Sequence, residues 1–390
     1  MIAGENIKTG LEKVKEWVSW CPKCNSCKYL YKDYAESCPA GEHFKFETYW
    51  SSGKVWLAYG LLNGILKWNE NIIKIIYACP LCGACSVQCQ QDVSDHLIEI
   101  FEALREEAVS RGFGPYSNQK AFYDSIIANN NPYKEPHSNR LNWLDQKELK
   151  TTAEVLYFVG CTSSYREKEL AKSTFELLKK LNVDFTISPD EHCCGSPALR
   201  TGQVNVIPEL IKKNMDIFKK SGAKTIVTSC AGCYRTLKID YPKILGKELP
   251  FEILHISEFI FKLMKEGKLK IDKEKPIKIT YHDPCHLGRH AGVFDEPREI
   301  LKNIPELELI EMRRIRENSW CCGAGGGVKS GFKDWAVEIA IDRLKEAEQT
   351  GAEDLITSCP FCLRNFKDAA KSMGSNLKIF GIVELLKDLI

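Results

Sequence analysis

The sequence predicts an α/β protein made of two copies of one unit, each a mostly parallel sheet with flanking helices, placed behind a mainly helical, cysteine-rich N-terminal region. Three observations predict it. Short β-rich runs alternate with helix-length amphipathic stretches from residue 154 onward. A five-cysteine pattern occurs twice within that part. The first 115 residues carry a different pattern, two runs of closely spaced cysteines. The expected division is 1–115 for the N-terminal domain, 116–152 for a linker containing the Asn/Pro-rich "ANNNPYKEPHSNRLNW", and 153–268 and 269–390 for the two repeats. The charged "KEGKLKIDKEKP" at 265–276 marks the boundary between the repeats.

The chain has 390 residues, 44% of them hydrophobic, which leaves room for several buried cores. Its 54 basic and 52 acidic residues are interspersed and give a net charge of +2, so no electrostatic footprint for nucleic acid is present. The opening "MIAGENIKTGLEKVKEWVSW" reads as an amphipathic helix and lacks the apolar core and cleavage site of a secretion signal. The longest uncharged apolar run, "VWLAYGLLNGIL" at 55–66, falls short of the roughly 18 to 20 residues that span a bilayer. A cytoplasmic location is therefore expected, with any attachment to a membrane made through a partner.

Eighteen cysteines without a secretion signal indicate metal or redox chemistry rather than disulfides. Cys21, Cys24 and Cys27 form C-x2-C-x2-C, with Cys38 ten residues beyond, and Cys79, Cys82, Cys85 and Cys89 form C-x2-C-x2-C-x3-C. Two such runs are the pattern of a two-cluster ferredoxin, in which the fourth cysteine of each run binds the cluster of the other. One 4Fe-4S cubane then takes Cys21, Cys24, Cys27 and Cys89, and the other takes Cys79, Cys82, Cys85 and Cys38. The ten-residue gap before Cys38 and Gln90 in place of the usual proline depart from that pattern. A pair of zinc knuckles is the competing reading, but these pair two C-x2-C arms rather than triplets.

The remaining cysteines form the repeat. Cys161, Cys193, Cys194, Cys230 and Cys233 make C-x31-CC-x35-C-x2-C, and Cys285, Cys321, Cys322, Cys359 and Cys362 make C-x35-CC-x36-C-x2-C. Neighbouring residues agree too: "IVTSCAGCYR" aligns with "LITSCPFCLR", and "HCCGS" with "WCCGA". No cysteine is left over as core filler. In order, "EVLYFVGC" is a strand ending in a cysteine, 167–181 a helix, "VDFTIS" a strand, 206–220 a helix, and "KTIVTS" a strand leading to C-x2-C at a helix start. The second copy runs from "IKITYHDPC" to "EDLITSCPFC". This places Cys161, Cys230, Cys285 and Cys359 beyond the carboxyl ends of strands, where function gathers in parallel sheets. A helix start also stabilises thiolates.

Four ligands saturate a tetrahedral zinc, so a fifth cysteine per repeat points to a polynuclear centre or a spare redox thiol. Gly195 and Gly323 supply the tight bend that lets adjacent cysteines reach one centre. Spacing leaves three readings open: an iron–sulfur cluster, zinc, or a thiol/disulfide relay.

Together with "YHDPCHLGR" at 281–289, these repeats resemble the CCG domains of heterodisulfide reductase. Joined to the N-terminal region in one chain, they are similar to the D-subunit family of that enzyme. The resemblance implies a noncubane 4Fe-4S cluster on each complete repeat. Cys161, Cys193, Cys194, Cys230 and Cys233 would hold one, and Cys285, Cys321, Cys322, Cys359 and Cys362 the other. It further implies an anaerobic oxidoreductase passing electrons from two cubanes to two noncubane clusters that cleave or form a heterodisulfide, with Cys193, Cys194, Cys321 and Cys322 as jaws around the S–S bond. CCG domains also serve in glycolate and lactate dehydrogenases and in flavin-dependent complexes of aromatic degradation. An electron-relay subunit is therefore the alternative.

A disulfide takes up two protons with its two electrons, so His286 and His192 are candidate catalytic groups, with His282 and His290 nearby. Each has a bland counterpart reading as a histidine that only packs. Arg200, Arg235, Arg289 and Arg364 are candidates for an anionic substrate end, although most arginines are simply solvated. "GAGGG" at 323–327 lacks the spacing of a phosphate loop and reads as backbone closing round Cys321 and Cys322. "HFKFETYW" at 43–50 reads as cover for the cubanes. No flavin or nicotinamide motif is visible, so a flavoprotein or cytochrome b subunit of a larger redox complex is the expected electron partner. A small disulfide or thiol is the expected substrate.

Overall fold

The computed structural model describes residues 10–30, 35–145 and 149–390. Two four-stranded sheets dominate it. The first contains β1 (Val155–Phe158), β2 (Phe185–Thr186), β3 (Thr225–Thr228) and β4 (Glu252–His255) in the order β2-β1-β3-β4. The second contains β5 (Ile277–His282), β6 (Leu307–Leu309), β7 (Asp354–Thr357) and β8 (Lys378–Gly381) in the order β6-β5-β7-β8. Every pairing is parallel. Both sheets thus have one topology, and the cysteine repeat is a repeat of fold. Register agrees as well: Phe158 pairs with Thr228 at the end of β1, and His282 with Thr357 at the end of β5.

The inner strands "VLYF" and "DLIT" are buried throughout, as expected for a parallel sheet covered on both faces. Helices supply that cover. Lys168–Lys180 buries Leu170, Ala171, Leu177 and Leu178 on one face and leaves its lysines outside. Ile207–Lys220, Ile256–Lys265, Lys333–Glu348 and Pro360–Met373 do the same for their own strands. One cluster of buried side chains runs through both sheets. The edge strands β4 and β8 were not among the expected elements.

The N-terminal region is mainly helical, with helices Ser51–Leu62, Glu70–Tyr77 and Leu97–Ser110 around a core of its own. Asn69 caps the second of these, its Oδ1 accepting from the Ile72 N–H at 3.1 Å. The expected opening helix is shorter than its pattern: a 3-10 turn, Gly10–Val14, runs into Lys15–Val18, and residues 1–9 lie outside the described residues. The apolar run at 55–66 is largely taken up by Ser51–Leu62. Among the described residues no helix is long and apolar enough to cross a membrane. Residues 116–152, expected as a linker, contain helix Ser117–Asn129 and side chains that reach the first repeat.

Candidate metal centre

The inner strands β1, β3, β5 and β7 each lead to a cysteine that lines the cavity between the repeats. Cys161 opens helix Cys161–Tyr165 after β1, Cys230 caps Ala231–Arg235 after β3, and Cys359 caps Pro360–Met373 after β7. At the two CC pairs the chain turns through Gly195 (φ +92°) and Gly323 (φ +80°), a region that residues with a Cβ rarely enter. The turn aims the glycine amide back at the first thiol of each pair. Gly195 N–H donates to Cys193 Sγ at 3.4 Å, and Gly323 N–H to Cys321 Sγ at 3.3 Å. Side-chain amides hold the pairs from behind, Asn214 donating to the Cys193 carbonyl at 3.1 Å and Asn365 to the Cys322 carbonyl at 2.6 Å.

Both repeats open on one cavity of about 870 Å³, lined by every cysteine of the two repeats except Cys321. The thiols are close enough to share protons. Cys362 donates to Cys322 at 3.1 Å. In each pair the second cysteine is the acid. Cys194 is held well below the usual thiol range by hydrogen bonds from Cys193 and Cys233, and Cys322 by those from Cys321 and Cys362. Cys193 and Cys321, the donors, are pushed well above it. Cys359 is lowered by Cys230, a contact that crosses from one repeat to the other. Five soft sulfur donors per repeat, one more than a tetrahedral zinc accepts, fit a polynuclear iron–sulfur centre.

The N-terminal cysteines gather in two sets. Cys21, Cys24 and Cys27 all lie close enough to Cys89 to raise its pKa, and Cys38 lies among Cys79, Cys82 and Cys85. Burial pushes Cys38 up to about 12. Cys24 is exposed, whereas Cys82 is buried against Cys321. A hydrogen bond from Cys321 brings Cys82 down to about 6 against the opposing effect of burial, helped by the Arg289 charge. Cys321 therefore faces the N-terminal region while its neighbour Cys322 faces the cavity.

The other expected site residues fall in different places. His286 lines the cavity, is buried and has no partner at Nε2, and burial lowers its pKa well below the usual imidazole value. His290 packs against it with rings tilted at 51° and centroids 4.8 Å apart but does not line the cavity. His192 donates from Nδ1 to the Asp190 carbonyl at 2.7 Å, packs beside His137 and is not part of the lining. Arg200 lines the cavity but is paired with Glu102 and Asp240, and Arg235 shares both carboxylates. Arg289 donates from Nε to the Cys82 carbonyl and from Nη1 to the carbonyls of Glu317 and Ser319, while its Nη2 has no hydrogen-bond partner among the described residues. Arg364 lines the cavity, and among the described residues it has no ion pair. The Gly325–Gly326 backbone lies against Cys79 and Pro80, so "GAGGG" seats the N-terminal region as well as lining the cavity. In the aromatic run, Phe44 stacks on Tyr49 at 4.1 Å and meets Trp335 of the second repeat at 5.2 Å, while Phe46 is exposed.

Sequence reasoning missed several groups. Arg140, buried, pairs with Glu191 and brings Nη1 to 3.8 Å from Cys161 Sγ, while Glu191 also accepts from the amides of Val159 and Gly160. Tyr133 lines the cavity and hydrogen-bonds Thr162 at 2.8 Å. Arg105 is fully buried and donates to the carbonyls of Ile76, Cys79, Arg200 and Gly326. Glu191 is the one with a visible signal, an acid two residues before a cysteine pair.

Comparison with known proteins agrees with this geometry. The CCG, or cysteine-rich domain, family matches twice, at residues 155–238 and 279–367. The chain is 43% identical over 318 residues to the D subunit of the dihydromethanophenazine:CoB–CoM heterodisulfide reductase of Methanosarcina mazei, spanning 80% of this chain and 77% of that one. It is 33% identical over 340 residues to the EtfAB:quinone oxidoreductase of Syntrophomonas wolfei, spanning 80% of this chain and 46% of that one. A solved structure of a hypothetical protein from Helicobacter pylori matches with a TM-score of 0.58 at 11% identity, over 98% of this chain and 73% of that one, a likeness of fold alone.

Proposed function

The chain belongs to the iron–sulfur oxidoreductase family of the heterodisulfide reductase D subunit, and from that premise we propose that it reduces, or in reverse forms, a disulfide of small anionic thiols in the cavity between its repeats. The observation that carries this reading is the opening of both cysteine sets on a single cavity. A relay needs its centres only in sequence, whereas two facing sets around a ligand-sized space suit a bond split between them. At about 870 Å³ the space falls within the roughly 300 to 1,000 Å³ of small-molecule sites.

On this reading Cys161, Cys193, Cys194, Cys230 and Cys233 hold one noncubane cluster, and Cys285, Cys321, Cys322, Cys359 and Cys362 the other. Cys21, Cys24, Cys27 and Cys89 hold one cubane, and Cys38, Cys79, Cys82 and Cys85 the second. Such clusters, when bound, supply electrons one at a time and iron for the released sulfurs. The protein's residues shape and charge the space. Phe122, Pro132, Val337, Ile341 and Phe361 line it with apolar surface that limits water. Arg364 offers its guanidinium to an anionic substrate end, and His286 presents an unpartnered ring nitrogen to a thiolate in need of a proton. The exposed Cys24, with Trp20 and Tyr29 exposed near it along the chain and Val87 exposed near Cys89, provides the face where a flavoprotein or cytochrome b subunit would deliver electrons.

The test is reduction of a disulfide from a low-potential viologen by anaerobically purified, fully loaded protein. Turnover with an anionic heterodisulfide, together with a paramagnetic signal that appears only with thiol, supports the reading. A second reading, relay to or from a flavoprotein, draws on the EtfAB:quinone oxidoreductase relative. Inactivity with every disulfide alongside reduction by an electron-transferring flavoprotein would select it.

A further inference from the structure

His282 occupies the last position of β5, and the matching position of the first repeat, by pairing and by distance from the following cysteine, is Phe158. A buried imidazole therefore stands where its counterpart is a hydrocarbon ring. Two neighbours fix its state. Arg343, buried and anchored by Glu346 at 2.8 Å and Ser319 at 3.1 Å, donates its Nε–H to His282 Nδ1 at 3.3 Å. A guanidinium only donates, so Nδ1 must accept, and the one proton of the ring sits on Nε2. Phe366 packs edge-on at 4.7 Å and holds the ring plane.

Among the described residues Nε2 has no hydrogen-bond partner, although the residue is 1% exposed. A buried N–H without an acceptor is costly. A ring nitrogen of His282 and the sulfurs of Cys322 and Cys362 lie within 4.8 Å of one another, so the acceptor within reach is sulfur. Hydrogen bonds to the sulfurs of an iron–sulfur centre favour its more negative, reduced state.

We propose that His282 donates its Nε2–H to a sulfur of the centre held by Cys322 and Cys362, and so raises the reduction potential of the second repeat alone. The inference rests on the reading that this repeat holds an iron–sulfur cluster. His282 is thereby a tuning residue set by Arg343, and the first repeat, with Phe158, has no equivalent donor at that position.

The test uses the full chain with its clusters, comparing wild type, His282→Phe and His282→Gln by iron content and by a redox titration followed by EPR. The expected result is equal iron, one potential shifted lower in His282→Phe, and a return toward wild type in His282→Gln, whose amide restores an N–H. An unshifted potential with iron intact overturns the inference alone. Absence of any second-repeat signal in wild type sinks the functional reading with it. Should His282→Phe fail to fold, isotope-labelled histidine in the wild-type chain still decides. A weak nitrogen coupling on the second-repeat signal supports the hydrogen bond. No coupling, or one as large as that of a bound nitrogen, overturns it.

Discussion

The two repeats have the same strand order, five cysteines each, a glycine amide on the first thiol of each pair and an acidic second thiol. Their surroundings differ. The first repeat brings a guanidinium to Cys161 from Arg140, itself tied to Glu191, and its Arg235 is committed to Glu102 and Asp240. The second meets the N-terminal region through Cys321 and Cys82, places His282 beside its sulfurs and leaves Arg364, the counterpart of Arg235, at the cavity wall. The two copies keep one cysteine pattern and differ in the groups around it, so equal cysteines need not mean equal roles.

The largest expected effect comes from the cages themselves. Cys194→Ser and Cys322→Ser should each lower iron content and cut disulfide reduction on the order of 1,000-fold or more, as removal of one member of a cooperating set does. The repeats should part company at the first cysteine of each pair. When electrons enter through the N-terminal region, Cys193→Ser should leave the second-repeat centre reducible, whereas Cys321→Ser should slow reduction of both, read by rapid-freeze EPR. Equal behaviour would mean that the Cys82–Cys321 contact is not the way in.

Next in size is the ion pair peculiar to the first repeat. Arg140→Met strands Glu191 as a buried charge, and breaking a buried pair from one side costs about 3 to 5 kcal/mol. Thermal denaturation of the loaded protein should report it, with the first-repeat signal lost first.

The matched arginines separate binding from stability. Arg364→Ala should raise KM for an anionic disulfide by about 10- to 100-fold, the worth of a hydrogen bond to a charged group, with little change in melting temperature. Arg235→Ala should lower the melting temperature and leave KM near wild type. Steady-state kinetics and calorimetry on both variants would expose a reversal.

The smallest difference concerns the asparagines. Asn365 satisfies the carbonyls of Cys322 and Ala336, while Asn214 satisfies Cys193 and the Tyr241 hydroxyl oxygen. Each replacement by Ala should cost about 1 to 3 kcal/mol in chemical denaturation, Asn365→Ala the more because two buried carbonyls lose their donor.

Much of this was legible in the sequence. β1, β3, β5 and β7 each end within three residues of a cysteine, and their largely apolar runs suit strands buried on both faces. β4 and β8 were not legible: "EILH" and "KIFG" are edge strands whose pairing is fixed by neighbours distant in sequence. The polar stretch around Arg140 read as a linker for a related reason. Its partner Glu191 lies 51 residues away, and composition cannot distinguish a charge facing water from one facing another buried charge. The same limit hid Arg105, which sits among glutamates on a helix that looks solvated.

Arg105 bears on what the cavity can do. The carbonyls it holds belong to the N-terminal helices, the second cysteine run, the first repeat and the second repeat, and among the described residues no carboxylate forms an ion pair with it. Swinging any one of these parts away would leave a buried cation short of acceptors. The parts that frame the cavity are thus pinned from behind at a single buried guanidinium, like the two arms of a caliper held by one screw.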